Sequence, residues 1–325
     1  MLSLSRSTLA AWLMLVVLSL SGCSLMSNTE SRQMHSHAIK QYQTHDYAQA
    51  AKWFRYAADK GYADSQFALG LLYAKGQGVK QDFTQAAHWF KLAADQGHRC
   101  ANGMLGLLYL KGQGVPKDIK EASQHLTLAA QKGDPEAMFN LGAMNYFGDG
   151  IPKNSPKAIQ LFEKSAQTGF AKAQVMLGML YAAGKDFPKD YQKAFELYSK
   201  AAAQGQSIGQ NNLAYMYQIG RGVPKDYALA LKWYSLAAEQ GNPYSLYSLG
   251  ELSYDGTGVP QDYMLAYKWA YIAQKAGYKQ NGTEVVPNLL EKAASRLTDS
   301  QKEEGKRLAL EWISQHTSKD RVAQK

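Results

Sequence analysis

"LGLLYAKGQGV" occupies Leu69–Val79 and "LGLLYLKGQGV" occupies Leu105–Val115, so ten of eleven letters match across a spacing of 36 residues. Such a string is either a glycine-rich chemical site used twice or a structural unit that the chain rebuilds. The spacing decides between them. Leucine returns at Leu69, Leu105, Leu141, Leu177, Leu213 and Leu249, followed by Gly70, Gly106, Gly142, Gly178, Ala214 and Gly250. A second block keeps the same beat, with Ala50, Ala86, Ala122, Ala158, Ala194, Ala230 and Ala266. Each block closes on glycine, from Gly61 to Gly277, with no insertion or deletion. Strict self-similarity at this period is the signature of stacked supersecondary units.

Each unit reads as two helices. In "DYAQAAKWFRYAADKG" (Asp46–Gly61) the apolar positions Tyr47, Ala50, Trp53, Phe54, Ala57 and Ala58 follow one helical stripe. Asp46 with Gln49, and Asp118 with Glu121, have the spacing of a capping box. Gly61 suits the left-handed residue after a helix. A second helix is predicted from about Ala63 to Lys75, with Gly70 and its equivalents facing Ala57 and Ala58. Helices of about 13 residues are marginal alone, so neighbours must supply the core. The reading is an all-α chain: an α/α solenoid, a right-handed superhelix of helix-turn-helix repeats with a C-terminal helical cap. A phosphate-cradling loop is excluded by polarity. Gly76 and Gly78 follow the negative end of a helix, and no Lys-Ser or Lys-Thr pair follows them.

The ends of the 325-residue chain differ from the array. Residues 1–22, with Arg6 ahead of an apolar run at Leu9–Leu20, have the pattern of a signal peptide. "LSGC" (Leu20–Cys23) resembles the lipobox of bacterial lipoproteins, which implies lipidation of Cys23. Ser24 in the next position implies the outer membrane by the rules of that family. Residues 23–37 are expected to form a flexible tether, residues 38–278 the array of about six to seven repeats, and residues 279–325 a linker, cap and polar tail. In the cap, Leu308, Leu310 and Trp312 are the apolar positions. With Cys23 lipidated, Cys100 has no disulfide partner in its own chain, so packing alone must stabilise the fold.

The repeating pattern L-G-x-x-Y-x-x-G-x-G-V, then D-x-x-x-A-x-x-W-[FY]-x-x-A-A-x-x-G, resembles the Sel-one-like repeat, a relative of the tetratricopeptide repeat. The resemblance covers Ala38 to about Tyr278. Asp186 replaces the second loop glycine of one unit, and Asn145 and Ser253 replace the tyrosine. The family implies a non-catalytic protein-interaction scaffold whose Leu-Gly helices line the inner, concave side. Variable positions there in the last two repeats are Asn211, Tyr215, Gln218, Tyr244, Tyr247, Glu251 and Tyr254, the expected partner-binding residues.

Catalysis has little support. "GQSIG" (Gly205–Gly209) matches G-x-S-x-G, but that motif needs a strand-to-helix turn and this one lies between helices. The histidines form no H-E-x-x-H, and no cofactor or metal site is expected. Cysteine-rich secreted relatives have been linked to β-lactam binding or hydrolysis, but their paired cysteines are missing here. The net charge is +9, and Lys117, Lys153, Lys189 and Lys225 recur at one loop position. That edge would attract an anionic glycan, lipid head group or acidic protein surface. An exported lipoprotein excludes nucleic acid. The expected role is an envelope adaptor, with a host-protein-binding virulence factor as the alternative.

Overall fold

The computed structural model describes residues 29–186, 188–278 and 286–323. The signal segment, Cys23 and residues 279–285 of the linker lie outside these residues. The described residues are helical with short turns and contain no strand. The chain divides into two compact units, one ending at Leu161 and the other beginning at Phe162.

The first unit holds α1 (residues 29–43), α2 (Tyr47–Asp59), α3 (Ala63–Lys75), α4 (Phe83–Asp95), α5 (Arg99–Lys111), α6 (Ile119–Gln131) and α7 (Pro135–Phe147). Helix α8 (Ser155–Gln167) contains the division. The second unit continues with α9 (Ala171–Ala183), α10 (Tyr191–Ala203), α11 (Ser207–Ile219), α12 (Tyr227–Glu239), α13 (Pro243–Asp255) and α14 (Tyr263–Lys275). It ends with α15 (Val286–Ala294) and α16 (Asp299–Ala323). Within each unit a helix packs against the helices before and after it, which is the architecture of an α solenoid.

Local chemistry sets the boundaries. Asp82, Asp118, Asp190, Asp226 and Asp262 each accept backbone N–H bonds at the start of a helix, satisfying donors that no preceding turn can reach. The seven alanines of the second block are fully buried. Their lack of side-chain volume lets neighbouring helices approach.

Two expectations change on the structure. The tether expected over residues 23–37 is helical from residue 29, and Ser31 and Ala38 are buried. The stripe of α1 is carried by Ser31, His35, Ala38 and Tyr42, spaced for one face but mostly polar or small, so hydropathy does not reveal it. His35 Nδ1 lies 2.8 Å from Ser65 Oγ, and its ring packs against Phe54 and Tyr62. The second change concerns Gly70, which faces the following repeat. A Cβ there would meet the Phe90 ring at 2.6 Å, and Gly106 stands in the same relation to Leu126. The glycine opens a slot for the side chain next to the recurring tryptophan position. Phe54, Phe90, Leu126, Phe162, Tyr198 and Tyr234 occupy that position and are buried.

The last repeat lacks that side chain, since Ala270 takes its place. Leu289 of α15 fills the slot, its Cδ2 being 3.1 Å from where a Cβ on Gly250 would stand. Helix α16 packs on α14 through Gly305, Ala309 and Trp312, with Trp269 and Trp312 edge to face at 5.8 Å. Leu310 instead faces solvent.

A buried amide relay ties successive repeats. Gln66 Nε2 donates to Ala58 O at the end of α2, and Gln66 Oε1 accepts from Gln96 Nε2 at the end of α4. Gln210 does the same between Ala202 O and Gln240. Asn102 bonds Ala94 O and His125 in the equivalent place. Each relay adds a side-chain donor to a carbonyl that also accepts from the turn glycine, Gly61 N on Ala58 O, Gly97 N on Ala94 O and Gly205 N on Ala202 O.

Three imidazoles in the first unit sit in this polar seam. His98 caps α5, its Nδ1 accepting from Ala101 N, and its Nε2 lies 3.4 Å from Asp64. Burial holds His35, His98 and His125 below the usual imidazole value of 6.5, despite the opposing pull of Asp64 on the first two and Glu121 on the third. The unfolded chain therefore binds more protons just below pH 6.5. Stability from these groups is present above that value and is lost as pH falls through their lowered folded values. Hydrogen exchange, corrected for intrinsic rates, should show α2–α6 losing protection between pH 7.5 and 5.5 while α10–α13 holds. His98→Asn should reduce that loss, because Asn242 caps α13 from the equivalent position without titrating. Equal losses in the two units would contradict this reading.

Candidate functional site

The Leu-Gly helices α3, α5, α7, α9, α11 and α13 are enclosed over most of their circumference, and one narrow line on each reaches solvent. In the second unit that line is mainly apolar, with Lys172 on α9 as the charged member. Met179 and Tyr215 share one repeat position, Ile208 and Tyr244 share another, and all four are about half exposed (47–52%). Apolar side chains exposed together on one face are a common feature of interaction surfaces.

Of the seven residues expected to bind a partner, the structure leaves two, Tyr215 and Tyr244, open to solvent. Ser245 Oγ donates to Asn211 at 2.9 Å, and the Tyr234 hydroxyl donates to Gln218 at 2.6 Å. Tyr254 packs edge to face on Tyr263. Tyr247 is buried and stacks on Tyr278, ring centres 4.3 Å apart, with its hydroxyl donating to Glu251. Burial raises the Glu251 carboxyl above its ordinary range, the Tyr247 hydrogen bond opposing the rise. These contacts give most of the cluster a structural role between repeats.

Beside Tyr215 a cleft of about 300 Å³ opens between α9 and α11. Its lining adds Met179, Tyr191, Tyr198, Met216 and Arg221 to Tyr215. Met179, Tyr191 and Tyr198 belong to the repeat before the last two, whereas Met216 and Arg221 lie within them but outside the seven expected positions. The same register carried one repeat back, from Tyr215 to Met179, would have found the first.

Other candidates resolve locally. Ser207 begins α11, where Gln206 caps the helix by accepting from Gly209 N, so "GQSIG" is a helix start between two helices. The four edge lysines are exposed, and the residue after each, Asp118, Asn154, Asp190 or Asp226, caps a helix. Lys153, Lys189 and Lys225 lie over Tyr146, Tyr191 and Tyr227 respectively. Cys100 is half-buried in α5. No group of three or more His, Cys, Asp or Glu among the described residues is placed to hold a metal ion. No helix among them is long and apolar enough to cross a membrane.

Repeated hairpins with an apolar line exposed on the Leu-Gly helices define a solenoid of the interaction-scaffold class. The family model of the Sel1 repeat matches seven segments, residues 34–62, 63–98, 101–134, 135–170, 171–206, 207–242 and 243–278, and the chain belongs to that family. Its first segment includes part of α1. A crystal structure of a Sel1 repeat protein from Oxalobacter formigenes is similar at 33% identity and a TM-score of 0.70, covering 74% of this chain and 99% of that one. A protective antigen from uropathogenic Escherichia coli with the same type of repeat is similar at 24% identity and a TM-score of 0.48, covering 89% and 77%. An immunity protein from Pseudomonas aeruginosa is similar at 23% identity and a TM-score of 0.43, covering 66% and 81%. No curated protein matches the chain. Sel1 repeat proteins are in general protein-interaction scaffolds.

Proposed function

We propose that the protein is a non-catalytic envelope lipoprotein, anchored to the outer membrane through Cys23, that organises an envelope complex by gripping a protein partner. The observation that supports a partner site is the line of half-exposed Met179, Ile208, Tyr215 and Tyr244 on successive Leu-Gly helices. Rigid aromatic and thioether groups supply large contact area at low conformational cost. Anchoring is supported by the "LSGC" stretch at the end of the apolar run.

Crosslinking in intact cells followed by recovery of the protein tests this reading. Ile208→Ala with Tyr244→Ala should reduce partner recovery at least about tenfold, as expected where two anchor side chains are removed. Cys23→Ser should abolish labelling by fatty acid and release the protein from membranes. Tyr247→Ala is a poor probe, because removing a buried ring would disturb α13 itself. Unchanged partner recovery in the double variant would refute the assigned face. Digestion by protease added outside the cells would redirect the partner search to host proteins.

A further inference from the structure

The cleft between α9 and α11 has two chemically different parts. Tyr198 at its base is 4% exposed, and its hydroxyl is hydrogen-bonded to Asn212. Met179 and Tyr215 rise beside it, each half exposed, so the interior is apolar with neutral phenols. The mouth is cationic. Arg221 Cζ lies 5.2 Å from the centre of the Tyr191 ring, and Lys189 Nζ lies 5.8 Å from the same centre.

Each cation is favoured by the face of the Tyr191 ring, and Arg221 is the one that lines the cleft. None of the described residues lining the cleft is a carboxylate. Asp190, next to Tyr191, caps α10 through the Lys193 amide and lies 3.7 Å from Lys193 Nζ, so its charge is engaged elsewhere. An incoming anion would meet the Arg221 guanidinium with no carboxylate of the lining to compete for it.

Size limits the guest. A volume of about 300 Å³ is at the lower end of the range for small-molecule pockets, about 300–1,000 Å³, and accommodates one or two side chains. An anion without an apolar body would leave Met179 and Tyr215 in water. An apolar group without charge would make no use of Arg221.

We infer that this cleft captures an acidic protein segment in which an aromatic or long aliphatic residue stands beside an aspartate or glutamate. The apolar side chain enters between Met179 and Tyr215, and the carboxylate meets Arg221 at the mouth, with Lys189 adding positive charge around Tyr191. The inference rests on the scaffold reading above and assigns the chemistry of the partner.

The test is selection of a random peptide library on phage against the full-length protein. Wild-type protein should enrich peptides pairing an aromatic or long aliphatic residue with Asp or Glu. The variant Lys189→Glu with Arg221→Glu should enrich Lys or Arg beside the apolar residue. A fluorescent peptide from the wild-type selection should bind Arg221→Gln about tenfold more weakly, the loss expected of one charged contact in an interface. Both cations are exposed, and circular dichroism will establish that the variants fold.

Absence of enrichment, enrichment without acidic bias, or an unchanged bias in the reversed variant would overturn the inference. Heparin, a polyanion without aromatic groups, binding the wild-type cleft as tightly as the peptide would also overturn it and favour a glycan. A cellular partner that depends on Tyr244 but not on Arg221 would sink this assignment and leave the scaffold standing. A partner that depends on neither would remove both.

Discussion

Gly114→Ala should destabilise the first unit by about 2–5 kcal/mol, whereas Gly133→Ala should cost about 1–2 kcal/mol. Both glycines have left-handed backbones, with φ of 72° and 83°, so both substitutions incur the same class of strain. They differ in surroundings. A Cβ on Gly114 would stand 2.1 Å from the backbone carbonyl of Phe83, the first residue of α4, whereas a Cβ on Gly133 meets nothing within 4 Å. Backbone cannot rotate away as a side chain can, so the loop after α5 must lift off the start of α4. Urea denaturation of both variants, followed by fluorescence and far-ultraviolet circular dichroism, measures the difference. Equal losses would mean that strain alone governs the loop, and that its seat on α4 contributes nothing.

Leu289→Ala should destabilise the end of the second unit by about 2–5 kcal/mol, the range for emptying a well-packed leucine site. Leu289 is 6% exposed and fills the slot that Ala270 leaves beside Gly250. Because each helix contacts mainly its neighbours, the loss should be local. Hydrogen exchange should accelerate in α13–α16 and stay unchanged in α2–α6. Ala270→Phe in the same chain should recover part of the loss, since a phenylalanine, leucine or tyrosine holds that position in the other repeats. Added alone, Ala270→Phe should destabilise, because Leu289 already occupies the space. A double variant no more stable than Leu289→Ala would show that the cap does not substitute for the missing side chain.

The sequence discloses what depends on local chemistry. The range Ala63–Lys75 for α3 and the capping role of Asp118 follow from periodicity and from the needs of a helix terminus. Features set by the neighbouring repeat are less legible. Gly70 reads as a contact within its own hairpin, but it serves Phe90, because a glycine records that something approaches without saying from where. Gln66 looks like a surface residue until Gln96 and the Ala58 carbonyl are brought to it. Helix α1 is hidden because serine, histidine and alanine carry its buried face. The partner cluster mixes both situations. Tyrosines and amides at variable positions of the Leu-Gly helices suggest a surface, yet Tyr247 is covered by Tyr278, the residue after the closing glycine of the last repeat, a contact that periodicity alone does not disclose. Met179 is within reach of the repeat register, but Arg221 joins it only once α9 and α11 lie side by side.

The loop glycine at Gly78, Gly114, Gly222 or Gly258 abuts the residue that opens its own hairpin, Tyr47, Phe83, Tyr191 or Tyr227. Each hairpin therefore gauges its own length, like a ruler folded back to its zero mark. An extra residue inside one would unseat that loop and turn every later side chain off its partner. Duplication or loss of an entire hairpin would leave each seat intact. Evolution can thus resize this protein only in whole steps, which keeps an unbroken 36-residue beat in a chain whose surface is otherwise free to change.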